Sequence, residues 1–210
     1  MKIKPQTLPG RRQAVKSLVG LMVLSISAAG LPGCSPEKPQ FKSIDLTGAD
    51  YAQGFSLPDQ NGQLRTLKDF TDKVVVVFFG FTQCPDVCPT SMAELAQVKQ
   101  MLGSDGDKLQ AVFITVDPER DTPELLKTYM ANFDPSFLAL RPTPDQLPQV
   151  AKDFKLYYKK VAGKSKGSYT MDHSAGSYVF DGDGRIRLYS RYGAGAEVLA
   201  SDIRLLLKTM

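Results

Sequence analysis

Past residue 33 the sequence lacks an excess of charge of either sign. The first 33 residues carry five basic side chains and no acidic one, whereas the rest of the 210-residue chain holds 21 basic and 22 acidic residues. Because basic and acidic residues nearly balance after residue 33, this part of the chain has no excess of basic charge to bind a nucleic acid, and we expect no nucleic-acid partner. Internal repeats and low-complexity segments are also missing, and the length suits one domain with a sizeable core.

The sequence also lacks an apolar run of the roughly 20 residues that a bilayer-spanning helix needs. It has instead a basic start and a shorter apolar stretch from about Leu18 to Leu31, a pattern typical of an export signal. The stretch ends in Leu31-Pro32-Gly33-Cys34, which resembles a bacterial lipoprotein signal with Cys34 as the lipidated, mature N-terminus. Pro32 is unusual in such a signal, so an uncleaved membrane anchor stays open. We predict a signal over residues 1–33, a tether over 34–50 and one domain over 51–210, held at the membrane on its periplasmic side in a bacterial cell envelope.

Lipidation of Cys34 would leave two free thiols, Cys84 and Cys88, in an oxidising compartment. The apolar run Val74–Phe79 before them predicts a strand buried on both faces. The pattern from Thr90 to Leu102 after them predicts a helix. The two cysteines therefore lie on a turn at the carboxyl end of a central strand, where α/β proteins usually place their chemistry.

The start of the predicted helix should favour the ionised form of these thiols. Pro89 fits its first turn, and Ser91 with Glu94 fits a capping box. Unpaired N–H groups and the helix dipole stabilise a thiolate at such a place. The pair could bind a soft metal ion or close as a small disulfide.

The remaining pattern predicts an α/β protein with a thioredoxin-like fold, in which helices flank a central mixed sheet. A β-α-β unit is followed by a β-β-α unit, and an extra N-terminal β-hairpin precedes both. Residues 159–168, rich in lysine and glycine, are predicted to form a loop whose Lys159, Lys160, Lys164 and Lys166 are either solvated or used to dock an acidic partner. The other predicted elements are the hairpin strands Phe55–Leu57 and Gln63–Leu67 about Asn61-Gly62, the strands Leu109–Val116, Phe137–Leu140, Ser177–Phe180 and Arg185–Ser190, and the helices Thr122–Asn132, Pro144–Phe154 and Ala196–Leu207.

The chain has one histidine, His173, no tryptophan, and no proline after Pro148. In a thioredoxin arrangement the predicted loop Met171–Gly176 faces the cysteine turn. Efficient thiol oxidoreductases of this fold place a cis-proline there and a tryptophan before a Cys-x2-Cys pair, so these absences count against that activity. Two thiolates facing one imidazole instead suit copper, either as three-coordinate Cu(I) or as Cu(II) with a further ligand. Catalytic zinc also uses three protein ligands and stays open.

Three motifs stand out in the sequence: Gly80–Pro89, Val116–Glu124 and Asp172-His173-Ser174. Together they resemble the Sco/SenC family, over roughly Phe55 to Met210. The resemblance implies a membrane-tethered thioredoxin fold that binds copper through Cys84, Cys88 and His173, as a carrier rather than an enzyme. It implies delivery of copper to the CuA centre of cytochrome c oxidase subunit II, or reduction of that subunit's cysteines.

We also predict roles for residues in or next to these motifs other than the proposed metal ligands. Many family members have a histidine just before the first cysteine, where this chain has Gln83, a change that bears on metal release or partner recognition. Asp117 and Asp172 are expected as acceptors behind the metal ligands or as docking contacts, and Asp117 equally fits a plain turn before proline. The alternative function is a thiol–disulfide oxidoreductase that serves an exported copper protein and draws on a thiol reductant; a peroxidase is a weaker third hypothesis.

Overall fold

A six-stranded mixed sheet forms the centre of this computed structural model, which describes residues 39–210. The predicted signal, Cys34 and the first part of the tether lie outside the described residues. The strands are β1 (Ile44–Asp45), β2 (Ser56–Pro58), β3 (Leu64–Thr66), β4 (Val74–Gly80), β5 (Leu109–Thr115), β6 (Leu138–Leu140), β7 (Tyr158–Ala162), β8 (Tyr169–His173), β9 (Ser177–Phe180) and β10 (Ile186–Ser190). The helices are α1 (Val87–Met101), α2 (Pro123–Ala131), α3 (Leu147–Asp153) and α4 (Ala196–Leu207), with 3-10 helices at Leu67–Phe70 and Gly103–Lys108.

The strand order in the central sheet is β1-β10-β9-β4-β5-β6. All seven residues of β4 and all seven of β5 are buried, which explains why both strands are mainly apolar. The two strands are parallel, and their pairing ends with Gly80 beside Thr115. Because parallel strands end at the same sheet edge, the loop after β4, residues 81–86, and the loop that begins at Val116 leave the sheet side by side. The predicted thioredoxin-like fold is confirmed.

Helices flank the sheet and complete the core. The buried side of α1 carries Cys88, Met92, Leu95 and Val98, and α1 packs against α4, whose buried residues include Ile203 and Leu206. Helix α2 begins as predicted, with Pro123 at its first position and the Thr122 side chain accepting a hydrogen bond from the N–H of Leu125. Helix α4 spans the predicted residues.

The extra N-terminal hairpin is also confirmed. Strands β2 and β3 are antiparallel and are joined through Asn61 and Gly62. Gly62 has φ +79°, a left-handed conformation that glycine adopts without strain. The buried carboxylate of Asp59 accepts hydrogen bonds from the N–H groups of Asn61 and Gln63, which fixes the turn.

The chain joins the folded unit earlier than the predicted tether boundary at residue 50. Strand β1 pairs with β10, so residues 44 and 45 form the edge of the central sheet. Just before it, the N–H groups of Lys42 and Ser43 donate to the two carboxylate oxygens of Asp202, at 2.9 and 2.8 Å. Asp202 lies on α4 and is fully buried. A free tether is therefore a prediction only for the residues before this attachment.

Two sequence predictions were wrong in the second half of the chain. Residues 159–168 are not one loop, because Lys159 to Ala162 belong to β7, and His173 ends β8 rather than lying in a loop. Strands β7 and β8 form a separate antiparallel hairpin, here called the histidine hairpin, residues 158–173. Most of its side chains are exposed or half-buried, so it lacks the apolar pattern that marks a core strand.

Candidate metal centre

The cysteine loop, residues 81–86, connects the end of β4 to the start of α1. Within it the N–H of Cys84 donates to the carbonyl oxygen of Phe81 at 3.2 Å. Helix α1 begins at Val87, so Pro89 lies in its first turn as predicted. The predicted capping box is wrong, because Ser91 lies inside the helix and donates its hydroxyl to the Val87 carbonyl at 2.8 Å.

The two thiols are free and differ in their surroundings. Cys84 is half-buried, whereas Cys88 is fully buried at 0% exposure. The N–H of Cys88 donates to the Cys84 sulfur at 3.4 Å, so the start of α1 directs a donor at the more exposed sulfur. A Cβ atom on Gly80 would lie 2.9 Å from the Cys88 sulfur and 2.7 Å from the Phe113 ring. Glycine at position 80 thus makes room for the buried thiol.

Burial decides the ionisation of Cys88. Desolvation raises the pKa of its thiol well above the ordinary range, and the neighbouring Cys84 and the charge of Asp121 act in the same direction. The expectation that the helix start favours a thiolate therefore does not hold for free Cys88. A bound cation would reverse this balance, because a metal ion stabilises the thiolate that ligates it.

His173 reaches the cysteines from the end of β8. Its Nε2 lies 3.6 Å from the Cys88 sulfur, and its Nδ1 lies 2.9 Å from the carbonyl oxygen of Ser174. A carbonyl only accepts hydrogen bonds, so Nδ1 carries the proton and the lone pair of Nε2 faces the thiol. The rings of Phe78 and Phe81 stand edge-on to the imidazole, with centroid distances of 6.2 and 6.0 Å.

The environment of His173 favours the neutral imidazole. Burial lowers its pKa below the usual value, and the Ser174 carbonyl and the charge of Asp172 oppose this shift without reversing it. Asp172 itself is exposed on β8, opposite Lys159 in the hairpin register. A neutral imidazole with a free Nε2 lone pair is the form that ligates metals.

The structure brings Cys88 and His173 together, and the sulfur of Cys84, four residues earlier, accepts a hydrogen bond from the Cys88 N–H. Within residues 39–210 no group of three or more His, Cys, Asp or Glu side chains is in position to hold a metal ion. The donor set itself, two thiols and one neutral imidazole, fits a soft or borderline ion such as Cu(I).

Asp117 is a buried acceptor beside the cysteine loop, 3% exposed. Its carboxylate binds Nε of Arg120 and accepts a hydrogen bond from the Tyr169 hydroxyl at 2.8 Å. Nη1 of Arg120 in turn donates to Gln83 Oε1 and to the Tyr169 carbonyl oxygen, both at 2.9 Å. Gln83, the residue directly before Cys84, is thus tied to Arg120.

From the sequence, Asp121 was placed within a motif but was assigned no role of its own. The residue is fully buried and accepts hydrogen bonds from the Thr82 N–H, the Thr82 hydroxyl and the Thr115 hydroxyl. Burial raises the pKa of its carboxyl group despite these bonds. Asp121 therefore holds the cysteine loop against the end of β5. The signal in the sequence was its place within the motif Val116–Glu124.

The lysines of the histidine hairpin point toward solvent. Lys159, Lys160, Lys164 and Lys166 are exposed, and Lys160 pairs with the exposed Glu119 at 2.7 Å. Docking of an acidic partner by these lysines stays a prediction.

Within residues 39–210, none of the helices is both long enough and apolar enough to cross a bilayer.

Comparisons with known proteins agree with the motifs. An SCO2-like protein from Rickettsia prowazekii is 39% identical over 154 residues, which cover 72% of this chain and 75% of the relative. The copper-bound structure of Bradyrhizobium japonicum ScoI is 43% identical with a TM-score of 0.66, and the match covers 73% of this chain and 97% of that one. The copper-bound structure of yeast Sco1 is 32% identical with a TM-score of 0.67, covering 75% and 88% of the two chains. Residues 45–208 match the SCO1/SenC family model, and the chain belongs to this family.

Proposed function

We propose that this protein is a copper chaperone that binds one copper ion through Cys84, Cys88 and His173. The observation that carries the proposal is the 3.6 Å approach of His173 Nε2 to the Cys88 sulfur, at the start of the helix that also directs an N–H at Cys84. The copper ion is cargo, to be released to another protein. A site with three protein ligands is more open than a closed four-ligand cage, which favours transfer.

The chemistry of the donors supports copper over other ions. Sulfur ligands select Cu(I), and copper heads the affinity order of divalent first-row metals for such sites. The ion would displace the proton that burial holds on Cys88, so binding should release protons and depend on pH. The hydrogen bond from Nδ1 of His173 to the Ser174 carbonyl keeps the proton on Nδ1. Nε2 therefore needs no deprotonation before it ligates the metal.

Copper titration of the reduced full chain tests the proposal. The wild type should bind one Cu(I) per chain in competition with a chelator of known affinity. Cys84→Ala, Cys88→Ala and His173→Ala should each weaken binding strongly, because each removes one ligand. Asp202→Ala, which changes a buried polar residue with no contact to the cysteine loop, is the control. Wild-type affinity in the His173→Ala protein would refute the three-ligand site.

The recipient and the location are parts of the same proposal. The resemblance to the Sco/SenC family suggests that copper is delivered to the CuA centre of cytochrome c oxidase subunit II or to another exported copper protein. Lipidation at Cys34, or an uncleaved signal anchor, would hold the domain on the periplasmic side of a bacterial membrane. Metabolic labelling with a radioactive fatty acid should mark the wild type but not a Cys34→Ala protein if Cys34 is the anchor.

The unequal burial of the two thiols favours one second candidate, a thiol–disulfide oxidoreductase. The half-buried Cys84 would attack a partner's disulfide and form a mixed disulfide. Cys88 would then attack the Cys84 sulfur and pass its proton to the departing thiolate, which releases the partner as a dithiol and leaves Cys84 and Cys88 joined, to be reduced again by an external thiol. His173→Ala should leave such exchange nearly intact, whereas the copper proposal requires His173.

A further inference from the structure

The guanidinium of Arg120 lies between the two segments that carry the proposed ligands. One nitrogen, Nη1, donates to Gln83 Oε1 in the cysteine loop and to the backbone carbonyl of Tyr169 in the histidine hairpin, at 2.9 Å each. Gln83 directly precedes Cys84, and Tyr169 lies four residues before His173 on β8. A single planar group thus ties both halves of the site to each other.

Arg120 is itself fixed to the central sheet. Its Nε pairs with the buried carboxylate of Asp117, two residues beyond the end of β5. Its guanidinium stacks on the Tyr169 ring at 3.7 Å, and the Tyr169 hydroxyl donates to the same Asp117 carboxylate at 2.8 Å. Tyr169 is therefore held at its ring, its hydroxyl and its backbone, all by Asp117 and Arg120.

The histidine hairpin has few other polar ties of comparable strength. It forms its own two-stranded sheet and does not pair with the central one. The ion pair of Lys160 with Glu119 is exposed at both ends, and such pairs contribute little. Tyr158 and Met171 pack against the core and stabilise the hairpin there. Apolar contacts are non-directional, so they do not fix its orientation. The hydrogen bonds of Tyr169 to Arg120 and Asp117 are directional, and they tie the hairpin to the segment that follows β5.

We propose that Arg120 is a positioning residue that couples the cysteine loop to the histidine hairpin and so sets the distance between His173 and the two sulfurs. The inference rests on the proposed function for its effect on copper, while the coupling itself is a property of the metal-free protein. It also assigns a role to Gln83, which is the acceptor for Arg120 rather than a metal ligand.

The chain's single histidine makes the coupling measurable without copper. The ring protons of His173 give one set of NMR signals, displaced by the nearby rings of Phe78 and Phe81. In the full chain, carrying no histidine tag, Arg120→Gln should move these signals toward those of an exposed imidazole. It should also weaken Cu(I) binding about 10- to 100-fold, the usual effect of losing a residue behind the ligands.

Arg187→Gln is the matched control, because Arg187 also pairs with a buried carboxylate, Asp181, but has no bond to either ligand segment. It should leave the His173 signals and copper affinity unchanged. Unchanged signals and affinity in a folded Arg120→Gln protein would overturn the inference. A wild type that binds no Cu(I) would defeat the proposed function, while the metal-free spectra would still decide the coupling.

Gln83→Ala tests the coupling even if Arg120→Gln does not fold. It removes the bond to the cysteine loop and leaves Asp117 paired with Arg120. Cu(I) binding should weaken about threefold, as expected for one hydrogen bond at an exposed site, and the His173 signals should shift in the direction seen with Arg120→Gln. A folded Gln83→Ala protein with wild-type affinity and wild-type His173 signals would overturn the coupling.

Discussion

His173 can donate its Nε2 lone pair only while its imidazole is neutral. Burial lowers its pKa, and the Ser174 carbonyl holds the proton on the opposite nitrogen. The sequence could identify this residue because it is the only histidine and adjoins a recognisable motif. It places Gly80, Arg120 and Asp121 within the motifs but could not give their roles, because these arise from contacts with residues far away in the chain.

The lowered pKa predicts a dependence of stability on pH for the metal-free protein. The unfolded chain protonates His173 near its usual pKa of 6.5, before the folded protein does. The free energy of unfolding should therefore fall as the pH drops below about 6.5, by at most about 1.4 kcal/mol per pH unit, until the folded protein is protonated as well. Urea unfolding of the wild type and of His173→Gln between pH 7.5 and 5.5, a range set about the usual pKa, measures this. Equal slopes for the two proteins would contradict it.

The strands β4 and β5 present their two loops at one sheet edge, and this arrangement could be predicted. Both strands are buried on each face, so their sequences are mainly apolar, which identifies them as central strands. The histidine hairpin could not be predicted in the same way, because its residues are exposed and rich in lysine. Its strands are held by pairing with each other and by Arg120, neither of which leaves a periodic pattern.

Asp121 joins the cysteine loop to the end of β5, and its removal should loosen the loop. In Asp121→Ala the Thr82 N–H and the Thr115 hydroxyl would lose their acceptor, which should cost about 1–3 kcal/mol of unfolding free energy. Copper affinity should fall as well, because the loop that carries Cys84 loses its anchor. Asp59→Ala is the control, since Asp59 is equally buried but serves the β2–β3 turn. Equal copper affinity in both variants would argue against this role for Asp121.

At the scale of the whole folded unit, the first described residues are attached to α4 and to the edge of the central sheet. The chain enters the fold at Lys42 and Ser43, whose N–H groups bind Asp202 on α4, and then forms the edge strand β1. Neither the buried acceptor nor the short strand could be inferred from the tether-like sequence.

This attachment predicts a site of protease sensitivity. Asp202→Ala should release residues 42–45 from α4, so trypsin should cut after Lys42 faster than in the wild type. Copper affinity should stay at the wild-type value, because no ligand segment contacts Asp202. The time course of cleavage, followed by mass spectrometry, measures the effect. Cleavage at the wild-type rate would show that β1 alone holds the segment.

X-ray absorption at the copper edge of the Cu(I)-loaded, reduced full chain measures the ligands directly. The account predicts two sulfur scatterers and one imidazole nitrogen, with the nitrogen signal absent from His173→Ala and one sulfur lost from either cysteine variant. A spectrum with sulfur ligands alone in the wild type would contradict it, because the imidazole beside Cys88 would then take no part in holding the metal.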